Sequence, residues 1–340
     1  MRLASVRALK AELLSVPAAV AADLAESTPF TAFSSRRTTA RRTMDGIALG
    51  VTKRKRKQYR LAVRLQRTGP LISAMTDEIR KKASGEVDVK EIGAIVKFQG
   101  RTTAFYRRRR RPLCIGSSIG NVPSPGFVTA GSLGCFVVRR SPPYLICMLT
   151  NNHVIANENK NPIDSPIIQP GTLDGGDFPD DEVGALGKAV GLKPNGINVV
   201  DAAVGVAYEG VEVDTQTIAD SGSLRGLGSV FNLPPNAAVY KVGRTTGQTK
   251  GRVTAFDVDN VRVQYDMGEL RFDSQIEIEG TGTKAFSNSG DSGSLVVDEQ
   301  LRAVGLLFAG GNVGGSNRKG LTYANPIETV LDTLRVDLEI

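Results

Sequence analysis

From residue 113 to the C-terminus the chain is a series of short apolar stretches, each closed by Gly, Asn or Asp. Val/Ile/Leu-rich runs fall at residues 134–138, 145–149, 199–206, 238–242, 253–256, 261–265, 275–278, 294–297 and 303–308. Runs of this length with turn residues between them are strands, and nine of them predict an all-β sandwich or barrel. Only residues 327–334 keep a clear helical period there. Glycine marks the same division, with 31 of 37 beyond residue 112.

The first 112 residues have a different chemistry. They carry 26 Lys/Arg against 9 Asp/Glu, a balance of +17, whereas residues 113–340 carry 17 against 26, a balance of −9. Leu3, Val6, Leu9, Leu13 and Val16 recur at helical spacing, and Pro17 stops the helix. Arg2, Arg7 and Lys10 ahead of the apolar run 13–22 suggest a secretory leader instead, but Glu12 and Pro17 interrupt it. Residues 27–44 are a Ser/Thr/Arg-rich linker. Residues 46–51 and 59–65 are strand-like and split by the basic run 53–57; residues 72–82 suit a helix and 87–98 alternate like a strand. Five arginines at 107–111, extended and solvated by self-repulsion, mark a boundary, with a cleavage site as an open alternative. The organisation expected is a helix and linker (1–45), a small basic α+β domain (46–112) and a β domain (113–340).

Composition excludes several classes. No stretch of 18 uncharged apolar residues is present to span a membrane as a helix. Three cysteines are too few for a disulfide-dense scaffold, and one histidine excludes a multi-histidine metal site.

Three features remain, in the order His, Asp, Ser. His153 follows the strand ending Leu149-Thr-Asn-Asn. Asp201 lies inside the apolar run Val199-Val-Asp-Ala-Ala. Ser292 sits in Ser289-Gly-Asp-Ser-Gly-Ser294. A serine hydroxyl is a weak nucleophile unless a base takes its proton during attack. A neutral imidazole does this near pH 7. A buried carboxylate on its other nitrogen fixes the tautomer and balances the charge that develops. Asp201 suits that role better than Asp174, Asp177, Asp180, Asp181 or Glu182, which lie in a Gly/Asp-rich loop expected to be solvated. Gly290 lets a tight turn aim its own N–H and that of Ser292 at one developing oxyanion.

With these residues in place the chain resembles the trypsin-like, chymotrypsin-fold serine peptidases. Thr150-Asn-Asn-His153-Val resembles the family's histidine motif and Gly290-Asp-Ser-Gly-Ser294 its serine motif. Gly131-Ser-Leu-Gly-Cys135, Lys241-Val-Gly-Arg-Thr-Thr-Gly247 and Val304-Gly-Leu-Leu-Phe-Ala-Gly310 are similar to a bacterial and plant subgroup with a small N-terminal domain, the plant narrow-leaf proteases included. The resemblance covers roughly residues 113–335. It implies a mainly β fold of two six-stranded antiparallel barrels with the site between them, preceded by the small α+β domain. It also implies a substrate-pairing edge at Phe308, Ala309 and Gly310, and places Phe286 near the base of the specificity pocket, where an apolar residue argues against Lys or Arg specificity. The Ile/Val-Val/Ile-Gly-Gly start of digestive relatives is missing, which argues against activation by clipping of that kind. Whether Cys135 and Cys147 pair stays open; so few cysteines favour reduced thiols and a cytoplasmic location.

Bland readings apply to the other motifs. Asp220-Ser-Gly-Ser-Leu224 echoes the serine motif, but Ala219 stands where the donor glycine belongs, so Ser221 is a surface turn. Residues 243–247 lack the order of a phosphate loop and suit a β-turn. The function expected is a serine endopeptidase using Ser292, His153 and Asp201, with no metal or organic cofactor. The alternative is a catalytically silent protease-like scaffold that binds peptide or nucleic acid. Partners expected are a protein or peptide substrate. A homo-oligomer, nucleic-acid contact through residues 1–112, and docking of that basic part on the acidic β domain stay open.

Overall fold

The computed structural model describes residues 1–15, 44–55, 57–96, 105–122, 130–218 and 221–340. The linker 27–44, the end of the apolar run 13–22, and Ala219 and Asp220 lie wholly or largely outside these. The N-terminal part comprises α1 (Leu3–Ser15), β1 (Ile47–Lys55), β2 (Gln58–Leu65), α2 (Pro70–Lys82), β3 (Val87–Glu91) and β4 (Ile95–Val96). The first half of the β region comprises β5 (Leu113–Ile115), β6 (Ser118–Asn121), β7 (Gly131–Ser132), β8 (Cys135–Arg139), β9 (Ile146–Thr150), α3 (Asn152–Ile155), β10 (Pro166–Ile168), β11 (Glu182–Ala189), β12 (Ile197–Asn198), β13 (Ala203–Ala207), β14 (Val213–Ile218) and β15 (Gly222–Ser223). The second half comprises β16 (Ala238–Gly243), β17 (Gly247–Asp259), β18 (Val261–Tyr265), β19 (Gly268–Phe272), β20 (Gln275–Gly280), β21 (Leu295–Asp298), β22 (Ala303–Gly310) and β23 (Leu321–Pro326), then α4 (Ile327–Leu334) and β24 (Val336–Leu338). No helix among the described residues is long and apolar enough to cross a membrane.

The chain is mainly β, and one of its two halves is a closed barrel. Strands β16, β17, β20, β23, β22 and β21 pair in that order, and β21 returns to β16. The first half differs from the two closed barrels implied by the resemblance. Its sheet runs β24-β8-β9-β13-β11-β10-β6-β7 and curls into a half-barrel without closing among the described residues. Strand β7 at its end turns to the other half instead, where the Ser132 N–H donates to the Ser292 carbonyl at 2.7 Å.

The N-terminal strands continue the sheet of the second half. Strand β1 pairs antiparallel with β17, and β2 and β3 add outward. Ile47, Leu49, Val51, Leu61 and Val63 share one core cluster with Val253, Phe256, Ile276 and Ile278, and α1 adds Val6 and Leu13. Strand β1 also runs into the basic stretch that the sequence placed between strands. The Lys53 ammonium makes this tolerable by donating to the Phe231 and Leu233 carbonyls, at 2.8 and 2.6 Å.

Basic N-terminal side chains meet acidic ones of the β region. Arg64 Nε lies 2.6 Å from Glu277 Oε2, Lys10 Nζ 2.8 Å from Asp259 Oδ2, and Arg7 Nε 2.9 Å from Asp257 Oδ2. The arginine run is not simply solvated either. Arg109 Nε lies 3.1 Å from Asp181 Oδ1, and the Arg110 N–H and an Arg111 guanidinium N–H both donate to Gln169 Oε1.

Candidate active site

His153 stands on the single turn α3 directly after β9, and Asp201 precedes β13, the strand beside β9. The pairing of Ala203 with Thr150 brings the two close. Asp201 has no solvent exposure and His153 is 9% exposed. His153 Nδ1 lies 2.5 Å from Asp201 Oδ2, and the His153 backbone N–H donates to Oδ1 at 3.3 Å. Burial alone raises the Asp201 carboxyl, but the His153 ring and the Tyr265 hydroxyl outweigh it, so the carboxyl is held below its ordinary value.

Ser292 reaches the same place from the second half. The turn before β21 puts Gly290 at φ +92° and Gly293 at +90°, where a side chain is strained. Space forbids one too. A Cβ on Gly293 would lie 2.2 Å from the Ser132 carbonyl oxygen, and one on Gly290 2.1 Å from Arg244 Nη1. Thr245 Oγ1 donates to the Ser289 carbonyl at 2.6 Å, so the planar trans peptide turns the Gly290 N–H to the opposite side. The Asp291 carbonyl accepts from the Ser294 N–H at 3.0 Å, which turns the Ser292 N–H away likewise. Neither of these two N–H groups has an acceptor among the described residues.

Asp291 anchors this turn. It has no exposure, and its carboxylate accepts the N–H groups of Thr245, Thr246 and Asn288 at 2.9, 3.1 and 2.9 Å. The buried Lys241 ammonium lies 3.3 Å from Asp291 Oδ2. An internal cation thus sits on the carboxylate next to the serine. Lys241 lies on the strand before the expected tight turn and Arg244 within it, with Gly243 opposite Gly247. Arg244 pairs with Asp174, whose carboxylate is buried rather than solvated as its loop composition suggested. Ser118 Oγ also donates to Asp174, at 2.6 Å.

The serine and histidine are not hydrogen-bonded to each other in this structure. Ser292 Oγ donates to the Phe308 carbonyl at 3.4 Å, and the buried His153 Nε2 has no partner. Phe308 and Ala309 have no solvent exposure. The Phe308 ring packs on Phe272 with centroids 4.7 Å apart, and Gly310 ends β22. Phe286 is 2% exposed and belongs to the barrel's core cluster; its carbonyl accepts from Thr249 Oγ1 at 2.7 Å. Ser221 lies in the β14–β15 turn and accepts from Gln248 Nε2 at 2.8 Å, apart from the constellation. Cys114, Cys135 and Cys147 are free thiols.

Sequence reasoning missed Tyr265 and Asn325. The Tyr265 hydroxyl donates to Asp201 Oδ2 at 2.6 Å, and its ring stands edge-on to His153 at 5.8 Å. Asn325 Oδ1 accepts the Asp201 N–H at 3.0 Å, while its Nδ2 donates to Gln275 Oε1 at 2.6 Å. Both come from the second half, 64 and 124 residues along the chain from Asp201. The only local signal for Tyr265 is its inward face in the alternation Val261, Val263, Tyr265.

No protein-family model matches the chain. Among curated proteins, 224 residues (58% of this chain) are 28% identical to Protein NARROW LEAF 1 of Oryza sativa subsp. japonica. The chain has a chymotrypsin-type, serine-protease-like structure and is a distant homologue of that rice protein. This match takes in 36% of the rice protein's length, so the chain spans about a third of the curated relative it matches. Similar solved structures include Nocardiopsis Protease (NAPase), 17% identical over 68% of this chain and 100% of that one, at a TM-score of 0.47. Thermobifida fusca Protease A is 15% identical over 67% of this chain and 98% of that one, at 0.45. A glutamic acid specific serine protease is 20% identical over 67% and 100%, also at 0.45.

Proposed function

We propose that the chain is a serine endopeptidase. The observation that carries this reading is the His153–Asp201 contact, buried and short, with Nε2 left unpartnered. A base oriented on one nitrogen and free on the other has the polarity a hydroxyl nucleophile requires. Ser292 Oγ attacks the carbonyl carbon of a peptide bond while Nε2 takes its proton. The carbonyl oxygen becomes an oxyanion that accepts the N–H groups of Gly290 and Ser292. Collapse breaks the C–N bond, and the imidazolium gives its proton to the leaving amine. Water then repeats the sequence on the ester, with His153 again as base, and frees Ser292. Three free thiols accord with a reducing, cytoplasmic setting.

The bond from Ser292 Oγ to Phe308, rather than to His153, favours a second reading: a protease-like scaffold without turnover. A fluorophosphonate probe separates the two, since a scaffold does not label at Ser292. Digestion of a mixed peptide library by the wild type and by Ser292→Ala, read by mass spectrometry, tests the first directly. Cleavage lost in Ser292→Ala supports it; cleavage retained in that variant overturns it.

A further inference from the structure

Strand β22 has two edges. One pairs with β23 from Gly305 to Gly310. The other pairs with β21 only as far as Leu306, because that neighbouring chain turns away at the glycine-flanked serine. Past this point the Gly293 N–H reaches the Leu307 carbonyl, and Ser292 Oγ reaches the Phe308 carbonyl. The remaining edge therefore leads outward from the serine along Phe308, Ala309 and Gly310.

That edge is already occupied at its outer end. Val96 of β4 stands opposite Gly310, antiparallel. The other side of β4 is held by β18, with Ile95 opposite Val263. Ile95 is 3% exposed and packs in the cluster that contains Val263, Phe272 and Phe308. An antiparallel ladder advances one residue for one. The position opposite Gly310 is therefore two residues before the position opposite Phe308, and β4 runs toward the serine. An extended peptide placed for attack by Ser292 would need the same edge in the same direction.

We propose that β4 is a resident occupant of the substrate edge, which an extended polypeptide must displace to pair beyond Ala309. The inference rests on the serine-peptidase reading and names a control on that site. Strand addition draws its affinity from main-chain hydrogen bonds along the edge. A strand tethered in the same chain competes at high effective concentration, so an incoming peptide loses most of that gain. A substrate with two residues before the scissile bond extends only past Phe308 and Ala309, short of Gly310. One with four residues meets Val96.

The test uses the full chain, wild type and Val96→Pro, with peptidyl amides carrying two or four residues before the scissile bond. Proline removes the Val96 N–H and restrains Ile95 before it. In the wild type, kcat/KM for the two lengths is expected to agree within about twofold. Val96→Pro is expected to raise it about tenfold for the longer substrate and leave the shorter unchanged. A wild type that already prefers the longer substrate, with no response to Val96→Pro, overturns the proposal. Hydrogen exchange of the wild type gives a measurement independent of that variant's folding. A four-residue peptidyl boronate on Ser292 should lower protection at residues 95–96, and unchanged protection counts against displacement. Fluorophosphonate labelling needs no strand edge, so a wild type that fails to label rejects the peptidase reading, not this one.

Discussion

The Tyr265 hydroxyl and the His153 ring share one carboxylate oxygen, Asp201 Oδ2, at 2.6 and 2.5 Å. Burial and the neighbouring Asp201 raise the Tyr265 phenol well above its ordinary value, so it stays a donor across the working pH range. On the proposed peptidase reading, Tyr265 is a positioning residue that acts through Asp201. Tyr265→Phe keeps the ring and is expected to lower kcat about tenfold or more with little change in KM, since a hydrogen bond to a charged carboxylate is worth about 1.5–3 kcal/mol. In an Asp201→Ala background the same change should cost nothing. An equal loss in both backgrounds, measured by fluorophosphonate labelling rate, would show a merely structural role.

Gly290→Ala places a Cβ against Arg244 Nη1 and Thr245 Oγ1, in a backbone region that disfavours it. The turn must shift, and with it the Gly290 N–H. The expected loss in kcat is about 10²–10³, the range for one oxyanion donor. Thermal denaturation beside the kinetics tells this apart from unfolding.

Arg64 and Glu277 form an ion pair with no exposure on either side chain, and it ties the N-terminal strands to the barrel. Burial raises the Glu277 carboxyl, but Arg64 outweighs it, so the group lies below its ordinary 4.5. Its stabilising contribution is therefore present above about pH 4.5 and lost as pH falls through the depressed folded value. Removing Arg64 alone leaves a buried charge and is expected to cost about 3–5 kcal/mol, whereas Arg64→Met with Glu277→Leu removes both charges and is expected to cost less, the Thr254 and Tyr323 hydroxyls losing their acceptor. Melting temperatures between pH 3 and 7, with Glu277→Gln as reference, should show wild type losing its advantage only at the acid end.

Burial pushes the Cys135 thiol up to about 12 and raises Cys147 as well. At pH 8 neither supplies much thiolate. Iodoacetamide is expected to modify the partly exposed Cys114 first in the native protein. Peptide mapping that found Cys135 alkylated at the same rate would contradict the packing.

What the sequence made legible was local. Strand alternation and turn chemistry located the β region, and His153, Asp201 and Ser292 stood out because glycines and apolar neighbours framed them. The turn at residues 243–247 was readable for the same reason. The partners of those residues were not. Tyr265, Asn325 and Lys241 act through long-range packing, and no spacing links them to Asp201 or Asp291. Asp177 and Asp180 are exposed as their loop suggested, but Asp174 looked solvated too, because composition cannot show that Arg244 folds back onto it. The open first half was equally hidden, since its closure depends on where β7 finds its partner.

The pairing of β1 with the outer rim of β17 bears on any attempt to shorten this chain. Leu49 and Val51 sit opposite Asp259 and Phe256. Cutting at the arginine run would strip that cover and present bare main-chain donors and acceptors between Phe256 and Asp259. A naked, apolar sheet rim is a template for self-association. Strands β1 to β3 thus cover that rim, and a truncated protein is expected to precipitate rather than yield a smaller soluble one.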